Sequence, residues 1–133
     1  MRNRSIVVNT DPSSVRVARF VPMDLVLDRC DLVVSHGGAG TVLATLAPGV
    51  PLVLILQATD QFINAERAVV AGAGVSIDPA EFSLESWRFA AQRVRTEPKY
   101  AAAARRIRAE IEAMPTAAQV ARGLVHFTES MVA

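Results

Sequence analysis

A single cysteine, Cys30, rules out an internal disulfide and fits a reducing compartment; by default it is a small core residue. Only two histidines occur, His36 and His126, and no Cys/His cluster stands at metal-ligand spacing, so no metal and no other cofactor is expected. Long apolar runs are missing as well. The longest, Val50 to Leu56, is far too short to span a bilayer, and Pro51 interrupts it. Arg2, Arg4 and Asn9 surround only three apolar residues, which is no signal-peptide core. Charge of one sign is not in excess: the formal net charge is +1, and the 14 Lys and Arg are spread along the chain. Neither nucleic acid nor an acidic membrane surface is called for as partner. These absences lead to the expectation of a soluble, cytoplasmic protein. A Gly-x-Ser-x-Gly elbow and a phosphate loop ending in Gly-Lys-Ser/Thr are also lacking. A dinucleotide fingerprint starts at Gly38-Ala39-Gly40, but Leu43 stands where its third glycine belongs.

What is present is one domain's worth of chain, 133 residues, with 51% hydrophobic and 20% charged residues, enough for a real core. Ser5 to Val8 forms a short β-prone run, stopped by the turn formers Asn9-Thr10-Asp11-Pro12. A second strand is predicted over Val15 to Val21, then a short helix from Met23 through Leu27. Strands follow at Leu32–Ser35, Pro51–Leu56 and Val75–Ile77, separated by helices from Val42 to Ala47 and from Gln61 to about Val70. Pro48-Gly49 and Gly72-Ala73-Gly74 end those helices. Strands alternating with helices imply a parallel α/β sheet. From Ser83 onward the pattern is helical only, with three apolar stripes expected to be core faces. These are Leu84, Trp87, Ala91 and Val94; Tyr100, Ala104, Ile107, Ile111 and Met114; and Val120, Leu124, Phe127 and Met131. Arg105, Arg106 and Arg108 fit a solvated helix face, and His126 has no visible partner in the sequence.

The stretch Ser35-His36-Gly37-Gly38-Ala39-Gly40-Thr41 lies between a strand and a helix, an arrangement that can hold a phosphate. Glycines let the backbone turn sharply, and the unpaired N–H groups of a first helical turn attract an anion. His36 adds a side-chain donor and Thr41 a hydroxyl. The glycines alone fit a tight strand-to-helix connection equally well. Three further stretches accompany them: Arg19-Phe20-Val21-Pro22, Gly49-Val50-Pro51, and Asp60-Gln61 with Asn64. An aromatic beside exposed backbone can stack a base, a helix N-terminus with His36 can hold a diphosphate, and a carboxylate beside an amide can grip sugar hydroxyls. Base, diphosphate and sugar together make a nucleotide-sugar.

With these motifs, the stretch from about Val15 to Ile77 resembles the C-terminal, donor-binding half of GT-B fold glycosyltransferases, in the group of macrolide and other natural-product enzymes and the UDP-glycosyltransferases. The resemblance implies an α/β fold, a Rossmann-like parallel sheet flanked by helices, within a single partial domain over 1–133 whose helical tail spans 84–133. It implies diphosphate contacts from His36, Gly38, Ala39, Gly40 and Thr41, nucleobase contacts from Phe20 and Val21, and sugar contacts from Asp60 and Gln61. The implied substrate is a UDP- or dTDP-sugar, the implied acceptor a small hydrophobic natural product, and no metal is needed. The sequence departs from its relatives at Ser35, where many have a second histidine, and at Leu56, where proline is common. Met23 and Ala44 replace a glutamine and a ribose-holding glutamate of plant relatives.

In that family the catalytic base lies in an N-terminal domain, so no catalytic residue is expected within 1–133. Ile6 to Val8 matches the donor domain's second strand, which leaves its first strand without a counterpart. The expectation is therefore a fragment or subunit that is inactive alone and works with an acceptor-binding half, in trans or through self-association. Alternatives are a non-catalytic nucleotide-sugar-binding subunit or remnant, a nucleotide-sugar epimerase, and an NAD-binding oxidoreductase.

Overall fold

Leu52, Val53 and Leu54 are completely buried, and the rest of the molecule is layered around them. The structure, a computed structural model, describes residues 13–57 and 59–132, without the side chains of Thr59, Asp60, His126, Thr128, Glu129, Ser130 and Val132. The strand expected at Ser5 to Val8 lies outside the described residues. Three parallel strands, β1 (Val33–Ser35), β2 (Leu52–Ile55) and β3 (Gly74–Ile77), form a sheet in the order β1-β2-β3. Val33 pairs with Leu52, and Leu52 with Gly74. The uninterrupted apolar run of β2 is what a parallel strand covered on both faces requires.

Alternation along β2 divides its side chains between two cores. Leu52, Leu54 and Leu56 meet Val42 and Leu46 of α1 (Ala39–Leu46), Ala65 and Ala68 of α2 (Thr59–Val70), and Ala103 and Ala104 of α4 (Pro98–Ala113). Val53 meets Ala90 and Val94 of α3 (Leu84–Thr96), together with Tyr100 and Ile77. The last helix, α5, spans Ala117–Val132. Gly72 ends α2 at φ +80°, where its own N–H bonds Val69 O and the next N–H, of Ala73, reaches back to Ala68 O at 3.0 Å. Ser83 starts α3 with a reciprocal pair: its hydroxyl accepts from Ser86 N–H, and the Ser86 hydroxyl accepts from Ser83 N–H.

Pro98 separates α3 from α4 and opens the latter at its first position, where its missing N–H costs nothing. At this junction Glu97 takes Arg93 at 3.1 Å and Lys99 at 2.6 Å, above the buried Tyr100 ring. The Lys99 hydrogen bond, ahead of Arg93, holds the Glu97 carboxyl below its ordinary value, and Glu97 raises Lys99 in turn. The pair therefore supports the junction between those limits, fading as pH falls through the lowered Glu97 value or rises through the raised Lys99 value. Both groups are exposed, so water screens the contribution.

Three expectations differ from the structure. Val15 to Val21 joins no ladder among the described residues and bends at Arg19, and Phe20 is 83% exposed. A strand needs a neighbour's hydrogen bonds, which local β propensity cannot supply. In place of a helix over Met23 to Leu27 there are two 3-10 turns, Met23–Leu25 and Leu27–Arg29, with Leu27 their one buried residue. The third apolar stripe does lie on a helix, α5, but Val120, Leu124, Phe127 and Met131 are all exposed, as are Leu84 and Met114 at the ends of the other two stripes.

Gly74 sits where β3 passes closest to β2. A methyl there would overlap the Leu52 carbonyl oxygen and lie 3.0 Å from its carbonyl carbon, both backbone of the central strand. Gly74→Ala is expected to cost about 3 kcal/mol, at the upper end for overpacking, because no side chain can swing aside. Urea denaturation measures this, and an unchanged midpoint would show that the two strands part freely.

Candidate functional site

β1 ends at Ser35, His36 leads into the glycine turn, and α1 begins directly behind it. The Ser35 hydroxyl accepts from Gly37 N–H at 3.3 Å, which tightens the entry. Gly37 is buried at φ +87°, a conformation that only glycine adopts cheaply. It packs against α2: a methyl on Gly37 would lie 3.3 Å from Leu56 Cδ2 and 3.5 Å from Gln61 Cβ. Asn64 Nδ2 donates to Gly37 O at 3.3 Å from the same helix, 27 residues away in sequence.

Gly38 caps α1 without a side chain, and the first helical bond runs from Val42 N–H to Gly38 O at 3.0 Å. Within α1, the N–H groups of Gly38, Ala39, Gly40 and Thr41 are therefore left without helical partners, at the positive end of the helix dipole. Open space surrounds Gly40 where a side chain would stand, so the backbone is accessible there. The exposed His36 imidazole lies over Gly38, with Nε2 2.9 Å from where a methyl on Gly38 would be. The five residues expected to meet a diphosphate thus all lie at or just ahead of the start of α1.

The start of α2 adjoins that surface through Gly37. Gln61, expected on the sugar, is buried, and its Oε1 accepts from Gln57 N–H at 2.8 Å, closing the loop between β2 and α2. Asp60 belongs to the first turn of α2, and its side chain lies outside the described ones. Phe20 and Val21 are exposed on the irregular stretch ahead of the Met23–Leu25 turn, and among the described contacts none joins them to the glycine turn. A cavity of about 340 Å³ opens beside the site between α1 and α2, lined by Ala39, Leu43, Asn64, Arg67 and other residues. Among the described residues no three of His, Cys, Asp and Glu gather as a metal site, and no helix is long and apolar enough to cross a membrane. The contact that sequence reasoning missed is Asn64 to Gly37 O; its only advance signal is the i, i+3 spacing that places Asn64 on the same helix face as Gln61.

The two adjacent glycines have different reasons to be glycine, and this can be measured. Gly37→Ala is expected to destabilise the chain by about 1–3 kcal/mol, through the left-handed backbone and the Leu56 contact. Gly38 has an ordinary φ of −61°, and the clashing atom is the tip of a side chain. Gly38→Ala should leave the denaturation midpoint nearly unchanged and displace the His36 ring, visible as altered imidazole resonances by NMR. Equal destabilisation in both variants would contradict the distinction.

The chain is similar to known proteins over nearly its whole length. Residues 2–127 match the family described as erythromycin biosynthesis protein CIII-like, C-terminal domain. It is 38% identical over 117 residues to aklavinone 7-beta-L-rhodosaminyltransferase of Streptomyces galilaeus, covering 88% of this chain and 26% of that protein. With tylactone mycaminosyltransferase of Streptomyces fradiae the identity is 36%, covering 92% of this chain and 26% of the relative. Among solved structures, spinosyn forosaminyltransferase SpnP superposes with a TM-score of 0.84 at 32% identity, over 91% of this chain and 33% of that one. Glycosyltransferase VinC, solved in complex with dTDP, has a TM-score of 0.84 at 30% identity, over 92% and 31%. The chain thus spans about a quarter of the length of these curated relatives. In sequence and in fold, it belongs to the erythromycin biosynthesis protein CIII-like C-terminal domain family, and its sheet and helices are those of the C-terminal domain of GT-B glycosyltransferases.

Proposed function

We propose that this chain is the donor-binding part of an inverting glycosyltransferase that takes a UDP- or dTDP-sugar and serves a small hydrophobic, natural-product-like acceptor. The observation that carries this reading is the side-chain-free N-terminus of α1, overlain by His36 and locked through Gly37 onto α2. A diphosphate seated there meets the N–H groups of Gly38, Ala39 and Gly40, the imidazole of His36 and the hydroxyl of Thr41. Relatives named for the sugars they transfer support the assignment, as do the neighbours VinC and spinosyn rhamnosyltransferase SpnG, solved with dTDP and thymidine diphosphate. These neighbours favour dTDP over UDP.

In this reading the diphosphate is the leaving group. Donors already aimed at it stabilise the charge that develops as the sugar departs, an electrostatic role and not acid–base chemistry. No cation is needed, because the helix terminus and His36 supply the positive side. Phe20 stacks the base beside Val21, and Asp60 holds sugar hydroxyls. Gln61, whose oxygen accepts from Gln57 N–H, stands beside it at the start of α2 as the second residue of the sugar site. The base that activates the acceptor, and the acceptor pocket, come from outside residues 1–133, in trans or through self-association.

Addition of dTDP or UDP is expected to raise the melting temperature, since a ligand selective for the native state stabilises it. His36→Ala should weaken nucleotide binding by about 1–3 kcal/mol, the worth of a charged hydrogen bond. No shift with either nucleotide would refute the donor reading, and an unchanged affinity in the variant would remove His36 from the diphosphate.

Purified 1–133 is expected to transfer no sugar from dTDP- or UDP-glucose to phenolic or macrolide acceptors. A positioned general base is worth roughly 10²–10⁴-fold, and acceptor orientation adds several kcal/mol. Turnover by the chain alone would overturn the division of labour while leaving donor binding intact.

A further inference from the structure

Asn64 stands in the motif set without a part in donor contact. It is half-buried one turn into α2, and its Nδ2 donates to Gly37 O at 3.3 Å, the long end of the hydrogen-bond range. The acceptor is the carbonyl of a peptide with glycine on both sides. That peptide is trans, so its C=O and N–H point in opposite directions. Holding Gly37 O toward α2 therefore turns the Gly38 N–H away from α2, and this N–H is the first of the four that α1 leaves without helical partners.

The competing state is a half-turn of that one peptide. It reverses C=O and N–H and leaves the path of the chain almost unchanged. Gly38, now at φ −61°, would move into the positive-φ region. Glycine enters that region freely, and Gly37 is already there at φ +87°, so no Cβ on either side forbids the flip. The flipped peptide would present an oxygen where an anion needs an N–H.

We infer that Asn64 is a positioning residue whose carboxamide pins the Gly37 carbonyl and so keeps the Gly38 N–H turned toward the donor diphosphate. The identity of the anion rests on the donor-binding reading; the orientation of the peptide does not. An amide suits the task and a carboxylate of the same shape does not, because only N–H can hold a carbonyl oxygen. Gln61, one turn earlier, does the matching work on the other loop by accepting from Gln57 N–H. The first turns of α2 thus hold both loops of the site by their backbones.

The test compares chain 1–133 with Asn64→Ala and Asn64→Asp. Affinities for dTDP and for uncharged thymidine are measured by NMR titration, and crystal structures of the ligand-free wild type and Asn64→Ala are solved. Binding of dTDP should weaken about fivefold to tenfold in Asn64→Ala, from the loss of one hydrogen bond, and further in Asn64→Asp. Thymidine binding should match wild type in both variants, and the Gly37–Gly38 peptide should reverse in the Asn64→Ala crystal. If Asn64→Ala folds poorly, Asn64→Asp, which keeps the shape, carries both measurements. Wild-type dTDP affinity in both variants would overturn the inference alone, as would equal losses for dTDP and thymidine. A wild-type chain that binds no dTDP would overturn the donor reading; an unreversed peptide in the variant crystal would then still overturn the role of Asn64.

Discussion

The burial of β2 on both faces is the constraint from which the rest follows. Leu52, Val53 and Leu54 have no exposed surface, and alternation sends their side chains into two separate cores. One core needs α1, α2 and α4; the other needs α3 and the Tyr100 end of α4. At roughly 1.5–3 kcal/mol for each fully buried aliphatic side chain, this short strand contributes more than any surface interaction in the molecule. The ion pairs at Glu97 and between Arg108 and Glu112 are exposed, and adjust the helices without holding them.

Parallel pairing then decides which helix ends meet. Because β1 and β2 point the same way, the helices that follow them begin at the same edge of the sheet. The start of α1 and the start of α2 become neighbours, although the chain between them is long. Small residues permit the close approach: a buried glycine in the left-handed region lies against Gln61, and Asn64 closes the gap to its carbonyl. The N–H groups that α1 leaves without helical partners thereby stand beside the start of α2.

Local signals made the centre of the fold legible in the sequence. The apolar run of β2, the Pro-Gly and Gly-Ala-Gly stops, and the glycine turn each act within a few residues, and the elements appear within two or three positions of where those signals place them. The strand, glycine turn and helix start over Ser35 to Thr41 were legible for the same reason. What depends on partners was not. Val15 to Val21 has the residues of a strand and no ladder among the described residues. The bond from Gln57 N–H to the Gln61 oxygen, which closes the loop between β2 and α2, depends on where that loop folds back. The Asn64 bond crosses 27 residues, a distance that no periodicity reports.

The helical tail makes the same point in its sharpest form. The apolar stripes of α4 and α5 have the same spacing, and each lies on one face of a well-formed helix. Tyr100 and Ala104 of the first are buried, and Ile107 and Ile111 pack partly against the core. Val120, Leu124, Phe127 and Met131 of the second remain exposed, as do Val17 and Phe20 at the other end of the described chain. Periodicity determines which face of a helix is apolar. Whether that face is buried depends on a surface to receive it, and β2 with its two layers is already filled by α1, α2, α3 and α4. The apolar surface left over therefore collects on the segments flanking the sheet.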